Sequence, residues 1–146
     1  MKKLFLFASA ALFSVTLFAQ NPPVKKAEDV VKFKELTFDF GKIKQGVPIT
    51  HDFAFTNIGN SPVIIETAMA DCGCTTPHKP EGAIMQGKTD TIAVQYNASG
   101  IGTFKKLVHV KLAGVDMPVQ LTIIGTVLQA DDYAKYQETK ATTPGR

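Results

Sequence analysis

The chain has 146 residues, with 16 Lys and Arg against 13 Asp and Glu, two cysteines and no tryptophan. Two cysteines exclude a small scaffold stapled by many disulfides. The charges fall in isolated pairs, Lys25-Lys26 and Lys105-Lys106, with no basic stripe of the kind nucleic-acid binding needs.

In chain order, MKKLFLFASAALFSVTLFAQ comes first. Lys2 and Lys3 precede an uncharged apolar run from Leu4 to Phe18, and small and polar residues follow at Ala19-Gln20. This is the layout of a secretory signal peptide over residues 1–19. The run falls short of the roughly 20 residues of a comfortable membrane span, so a retained anchor is the weaker reading. Leu17 fits an A-x-A cleavage site poorly, which leaves the cleavage position open by a few residues. No cysteine closes the run, so a lipid-modified amino terminus is not expected. Removing this segment takes away Lys2 and Lys3 and leaves a nearly neutral domain. Export would place both cysteines in an oxidising compartment.

Residues 20–35 are polar, with Pro22-Pro23, and read as a linker. The domain is expected over residues 36–128. LTFDFG alternates Leu36, Phe38 and Phe40 against Thr37 and Asp39, a half-buried strand ended by Gly41. KIKQGVP reads as a turn. ITHDFAFTN sets Ile49, His51, Phe53 and Phe55 on one face. NIGNSP is dense in turn formers, and VIIETAMA is the next strand. The cysteine segment ADCGCTTPHKP and the loop PEGAIMQGK follow. TDTIAVQYN turns Ile92, Val94 and Tyr96 inward, and ASGIG is a turn. In TFKKLVHVKLAG the alternation slips at Lys105-Lys106, which predicts a β-bulge there. VDMPVQLTIIGTVLQ is the last strand, with Val119, Leu121 and Ile123 alternating. The tail, residues 129–146, is polar and read as disordered or a single turn of helix.

About seven strands, regular turn signals and no helical period predict an all-β protein, an immunoglobulin-like β-sandwich. Without tryptophan, and with its cysteines one residue apart, it lacks the Cys-Trp-Cys pin of antibody domains.

Phe38-Asp39-Phe40-Gly41, Gly46, Phe53-Ala54-Phe55-Thr56-Asn57, Gly59, Pro62 and Cys72-Gly73-Cys74-Thr75 form a connected set of motifs. Gly87, Tyr96, Gly100, Gly102 and Phe104 continue it. The set resembles the bacterial domain of unknown function 1573 family over roughly residues 36–127. The resemblance implies an exported protein with an immunoglobulin-like sandwich and no established activity. FDFG with FTNIGNSPVII is more loosely similar to Hydin-type and major-sperm-protein-type domains, which are mostly structural or protein-binding modules. That similarity puts Asn57 and Gly59 at the turn between two strands.

Cys72 and Cys74 admit four readings. Bridged, they close a very small ring, which gains little from loop entropy and is easily reduced. Gly73 supplies the backbone freedom such a turn needs. As a redox pair they need an electropositive setting, yet Asp71 is adjacent and only His78 and Lys79 are nearby cations. As metal ligands, Cys72, Cys74 and His78, with Met69 or Met85 as a soft extra, suit Cu(I) better than zinc, whose usual Cys spacing is wider. The plainest reading is a strand end and bend packed on the sandwich edge, and this is favoured.

His51 and His109 read as ordinary strand residues, and no carboxylate pair, Ser-His-Asp set or phosphate loop appears. Asn97-Ala98-Ser99 marks a surface turn. Asp90-Thr91-Ile92 resembles a short bacterial O-glycosylation motif, a three-residue match that chance often supplies. The expected function is therefore a non-enzymatic, exported, periplasmic or secreted module that binds a protein or envelope component. No catalytic residue, cofactor or nucleic-acid partner is expected. A periplasmic thiol or copper handler built on Cys72 and Cys74 is the rival.

Overall fold

The computed structural model describes residues 25–142. The expected signal peptide, residues 1–19, lies outside them. Two sheets pack face to face as an immunoglobulin-like β-sandwich. The first has the order β1-β3-β7-β5 and the second β2-β9-β8-β4-β6. The strands are β1 (Val31–Phe33), β2 (Thr37–Lys44), β3 (Ile49–Asn57), β4 (Val63–Ala70), β5 (Thr75–His78), β6 (Ala83–Ile84), β7 (Thr89–Tyr96), β8 (Gly102–Leu112) and β9 (Val119–Leu128). A helix, α1 (Ala130–Thr142), follows.

Alternation places the core. Phe53 and Phe55 of β3 and Ile92, Val94 and Tyr96 of β7 point inward from the first sheet. Val108, Val110 and Leu112 of β8 and Leu121, Ile123 and Val127 of β9 meet them from the second. These side chains, all but Leu112 and Leu121 aromatic or β-branched, fit a pleated surface buried on one side.

Four sequence readings are corrected by the structure. The segment taken as a linker holds a 3₁₀ turn, Ala27–Asp29, and strand β1. Ala27, Val30 and Val31 belong to the buried core, and β1 pairs with the end of β3. Three residues are too few to show a period, and only the partner strand reveals the pairing. Second, Gly41 does not end its strand. It sits at a register shift between Asp39 and Lys42, at φ +65°, and its N–H donates to Asp39 Oδ1 at 2.7 Å. The strand then runs on to Lys44, so Lys42–Lys44 are strand and not turn.

Third, there is no bulge at Lys105-Lys106. The β8–β9 register is unbroken from Gly102↔Val127 to Val110↔Val119. Phe104, Val108, Val110 and Leu112 keep one phase, Lys106 takes an inward-phase position, and Leu107 lies on the outer face. The irregularity is instead in β4, between Ile65 and Thr67. Fourth, the tail carries thirteen residues of helix. The helix buries no residue, and its contact with the sandwich includes Lys42 Nζ lying 4.7 Å from the Tyr136 ring centroid.

β2 runs parallel to β9, so an early strand is clasped to the last one. The approach is close: a Cβ on Gly125 would come within 2.9 Å of Gly41 O and of the Phe104 ring.

The best-satisfied buried polar group is Asn57, 0% exposed at the end of β3. Its amide nitrogen donates to Ser61 O at 2.9 Å and Ile84 O at 2.8 Å, and its Oδ1 accepts Gly59 N–H at 2.9 Å. One side chain thus fixes the β3–β4 turn and ties the first sheet to β6 at the edge of the second.

Candidate functional site

The cysteine segment joins β4, in the second sheet, to β5, in the first. Cys72 and Cys74 are paired as a disulfide with their Cα atoms 5.3 Å apart, inside the range a bridge requires. The turn is closed by Thr75 N–H donating to Cys72 O at 3.3 Å. Thr75 is buried, and its Oγ1 lies 3.7 Å from Cys72 Sγ and 3.8 Å from Cys74 Sγ. Bridged sulfurs carry no proton, so the threonine hydroxyl is the donor in these weak contacts. Cys74 packs against the core.

The other ligand candidates do not join this pair. Met69 is 64% exposed and lies across from His109 on the outer face of the second sheet. His78 pairs in register with Ala93 and is exposed on the outer face of the first sheet. The sandwich turns these two side chains to opposite faces. Met85 is exposed in the turn after β6. Among the described residues no three His, Cys, Asp or Glu side chains are grouped so as to hold a metal ion.

Both strand histidines have structural partners. His51 stacks on Phe38 with ring centroids 3.5 Å apart, meets Phe40 and Phe53 edge-on, and places Nε2 3.0 Å from Glu35 Oε1. His109 Nε2 lies 3.0 Å from Asp71 Oδ1, so the carboxylate beside Cys72 is already engaged. Asn97 Oδ1 accepts Ser99 N–H at 3.1 Å in the turn after β7. Thr91 is exposed on β7, and its N–H donates to Asp90 Oδ1 at 2.8 Å.

A second site was not foreseen. After Phe33 the chain leaves the first sheet, crosses through Lys34–Leu36, and enters the second sheet as β2. This switch opens the flank of the sandwich between β1 and the start of β9. The result is a cleft of about 630 Å³ whose apolar walls include Val31, Phe33, Leu36, Ile58, Met117 and Val119. Leu36 is 49% exposed, Ile58 48% and Met117 65%. Lys26, Glu28 and Lys32 stand with them at the cleft. Its walls come from three separated stretches, residues 26–36, Ile58 and residues 117–120, so no local stretch announces it. The available signal was Met117 and Ile58, large apolar residues placed in turns.

Among the described residues no helix is long and apolar enough to cross a membrane.

Comparison with solved structures shows the fold. PapD-like domain 7 of human CEP192 superposes with a TM-score of 0.57 at 11% identity, covering 87% of this chain and 99% of that one. A protein of unknown function from Porphyromonas gingivalis W83 gives 0.58 at 12% identity, over 75% of this chain and 51% of that one. The secreted serine protease VesC of Vibrio cholerae gives 0.56 at 14% identity over 69% of this chain, which spans only 24% of the protease. At these identities the likeness extends to the sandwich and not to activity. No curated protein matches the sequence. The family model for the protein of unknown function DUF1573 matches residues 31–127, the span from β1 to the end of β9, and the chain belongs to that family.

Proposed function

We propose that the protein is an exported, non-enzymatic module of the cell envelope that binds another protein through the flank of its sandwich. The observation that carries this reading is the cleft between β1 and β9, where Leu36, Ile58 and Met117 leave about half or more of their surface in water. Half-exposed apolar side chains gathered around one concavity are a usual mark of a partner site. The charged residues at its rim keep such a surface soluble while it is empty. Export rests on the pattern of residues 1–19 and accords with the bridged Cys72 and Cys74.

A photo-crosslinking residue at Met117 tests this in cells, against a control at Thr103 on the outer face at the far end of the second sheet. The expected result is a discrete crosslinked protein from position 117 only, in the envelope fraction. Equal capture from both positions, or recovery of the chain in the cytosol, would refute the proposal.

A further inference from the structure

We infer that the cleft takes its partner as an extended polypeptide segment, added as a strand along the edge of β1 and the start of β9 that β2 leaves unpaired. This rests on the reading of the cleft as a protein-binding site and specifies the form in which the partner enters.

Backbone directions follow from the hydrogen bonds. Ile58 N–H donates to Val30 O and Lys34 N–H to Ala54 O, both at 2.9 Å, while Lys32 lies opposite Thr56. In an antiparallel ladder alternate residues face the neighbouring strand. Val30, Lys32 and Lys34 therefore face β3, and Val31 and Phe33 turn their N–H and C=O groups the other way. β1 is the edge of its sheet, so among the described residues no strand meets them there.

The facing wall repeats the pattern. Thr122 N–H donates to Leu36 O at 2.8 Å, so the main chain of Gln120, two residues earlier, points to the same side of β9. β2 begins at Thr37, opposite Thr122, and has no residue left to pair with Gln120. Val31, Phe33 and Gln120 all line the cleft. Both walls thus offer apolar side chains together with strand-edge donors and acceptors.

This combination selects the occupant. An apolar ligand without polar atoms, such as an acyl chain, would cover N–H and C=O groups and leave them unsatisfied, which is unfavourable for each one buried. A strand satisfies them. Its repeat of two residues, roughly 6.6–6.8 Å, matches the spacing of Val31 and Phe33, and its alternate side chains face the cleft. Lys26 and Lys32 against the single Glu28 favour a segment with acidic rather than basic flanks. The partner is therefore an extended stretch with apolar residues at alternate positions and acidic ends.

The test uses the purified protein and a fluorescent eight-residue peptide alternating valine and threonine, with aspartate at each end. A second peptide of the same sequence is N-methylated at alternate residues, which removes strand donors and keeps the side chains. The expected results are saturable binding of the first peptide and at least ten-fold weaker binding of the second. Met117→Asp should also weaken the first at least ten-fold, with an unchanged circular dichroism spectrum. Bound peptide should slow amide exchange at Phe33 and Gln120 at least ten-fold, whereas Val31, only 3% exposed, is already shielded. Equal binding of the two peptides, or no added protection at Phe33 and Gln120, overturns strand addition. Absence of peptide binding also overturns it, and if position 117 still crosslinks a protein in cells, the protein-binding reading survives alone.

Discussion

Replacing Asn57 tests whether one amide holds the β3–β4 turn and the β6 edge together. In Asn57→Ala, Ile84 O loses a buried bond, while Ser61 O lies where solvent can reach it. Gly59 N–H loses Oδ1 but keeps its contact to Val30 O at 3.1 Å. Taking about 1–2 kcal/mol for the buried carbonyl and roughly half to one for each of the others gives a loss of about 2–4 kcal/mol. For a domain of this size that lowers Tm by on the order of 10 °C. Asn57→Asp should be worse, by at least about 1 kcal/mol. It keeps the acceptor for Gly59 but turns a carboxylate oxygen toward two carbonyl oxygens in a buried site. Urea unfolding at pH 7 followed by far-ultraviolet circular dichroism measures both, a suitable probe because the chain has no tryptophan. An aspartate variant as stable as the alanine variant, or an alanine cost below about 1 kcal/mol, would refute the reasoning.

Replacing Cys72 and Cys74 together by serine should cost little. Closing residues 72–74 removes chain entropy worth only about 1.5 kcal/mol, an upper bound that a loss above about 3 kcal/mol in urea would contradict. Mass spectrometry with a thiol-alkylating reagent should find no label on the native protein and two labels after mild reductant. Burial pushes the Tyr96 hydroxyl above the ordinary tyrosine value. Its contribution to stability is then fully present below the unfolded value of about pH 10 and is lost as pH rises through the higher folded value. Urea midpoints should therefore fall as pH rises above about 10 in the wild type and fall less in Tyr96→Phe. Parallel curves for the two proteins would remove Tyr96 as the cause.

Periodicity made most of the sandwich legible. β3 and β7 each alternate over at least eight residues, and their buried faces are those the alternation names; in β9 the shorter alternation of Val119, Leu121 and Ile123 also names the inward face, although Thr122 is buried as well. Where a strand is short or broken, the pattern misleads. Val31–Phe33 shows no period because three residues cannot, and its burial comes from pairing with β3. At Lys105-Lys106 a lysine occupying an inward-phase position looked like a slip, since polarity was taken for direction. The cysteine turn was legible as a bend because glycine separates two small residues, while the destinations of Met69 and His78 depended on which sheet each strand joins. The cleft was illegible for a related reason. It exists because the chain changes sheets between β1 and β2, a long-range event with no local signature.

The parallel clasp of β2 on β9 has a consequence for how the chain reaches its fold. Among the described residues β9 is the last strand in sequence yet sits between β2 and β8, and β2 has no other strand partner. A chain ending before Val119 would leave β2 unpaired and much of the second sheet's inner face uncovered. Closure of the sandwich therefore waits for the final strand, with contacts of long sequence separation formed late, and that topology slows folding. A chain still being synthesised has no complete sandwich to fall into until the last strand is free.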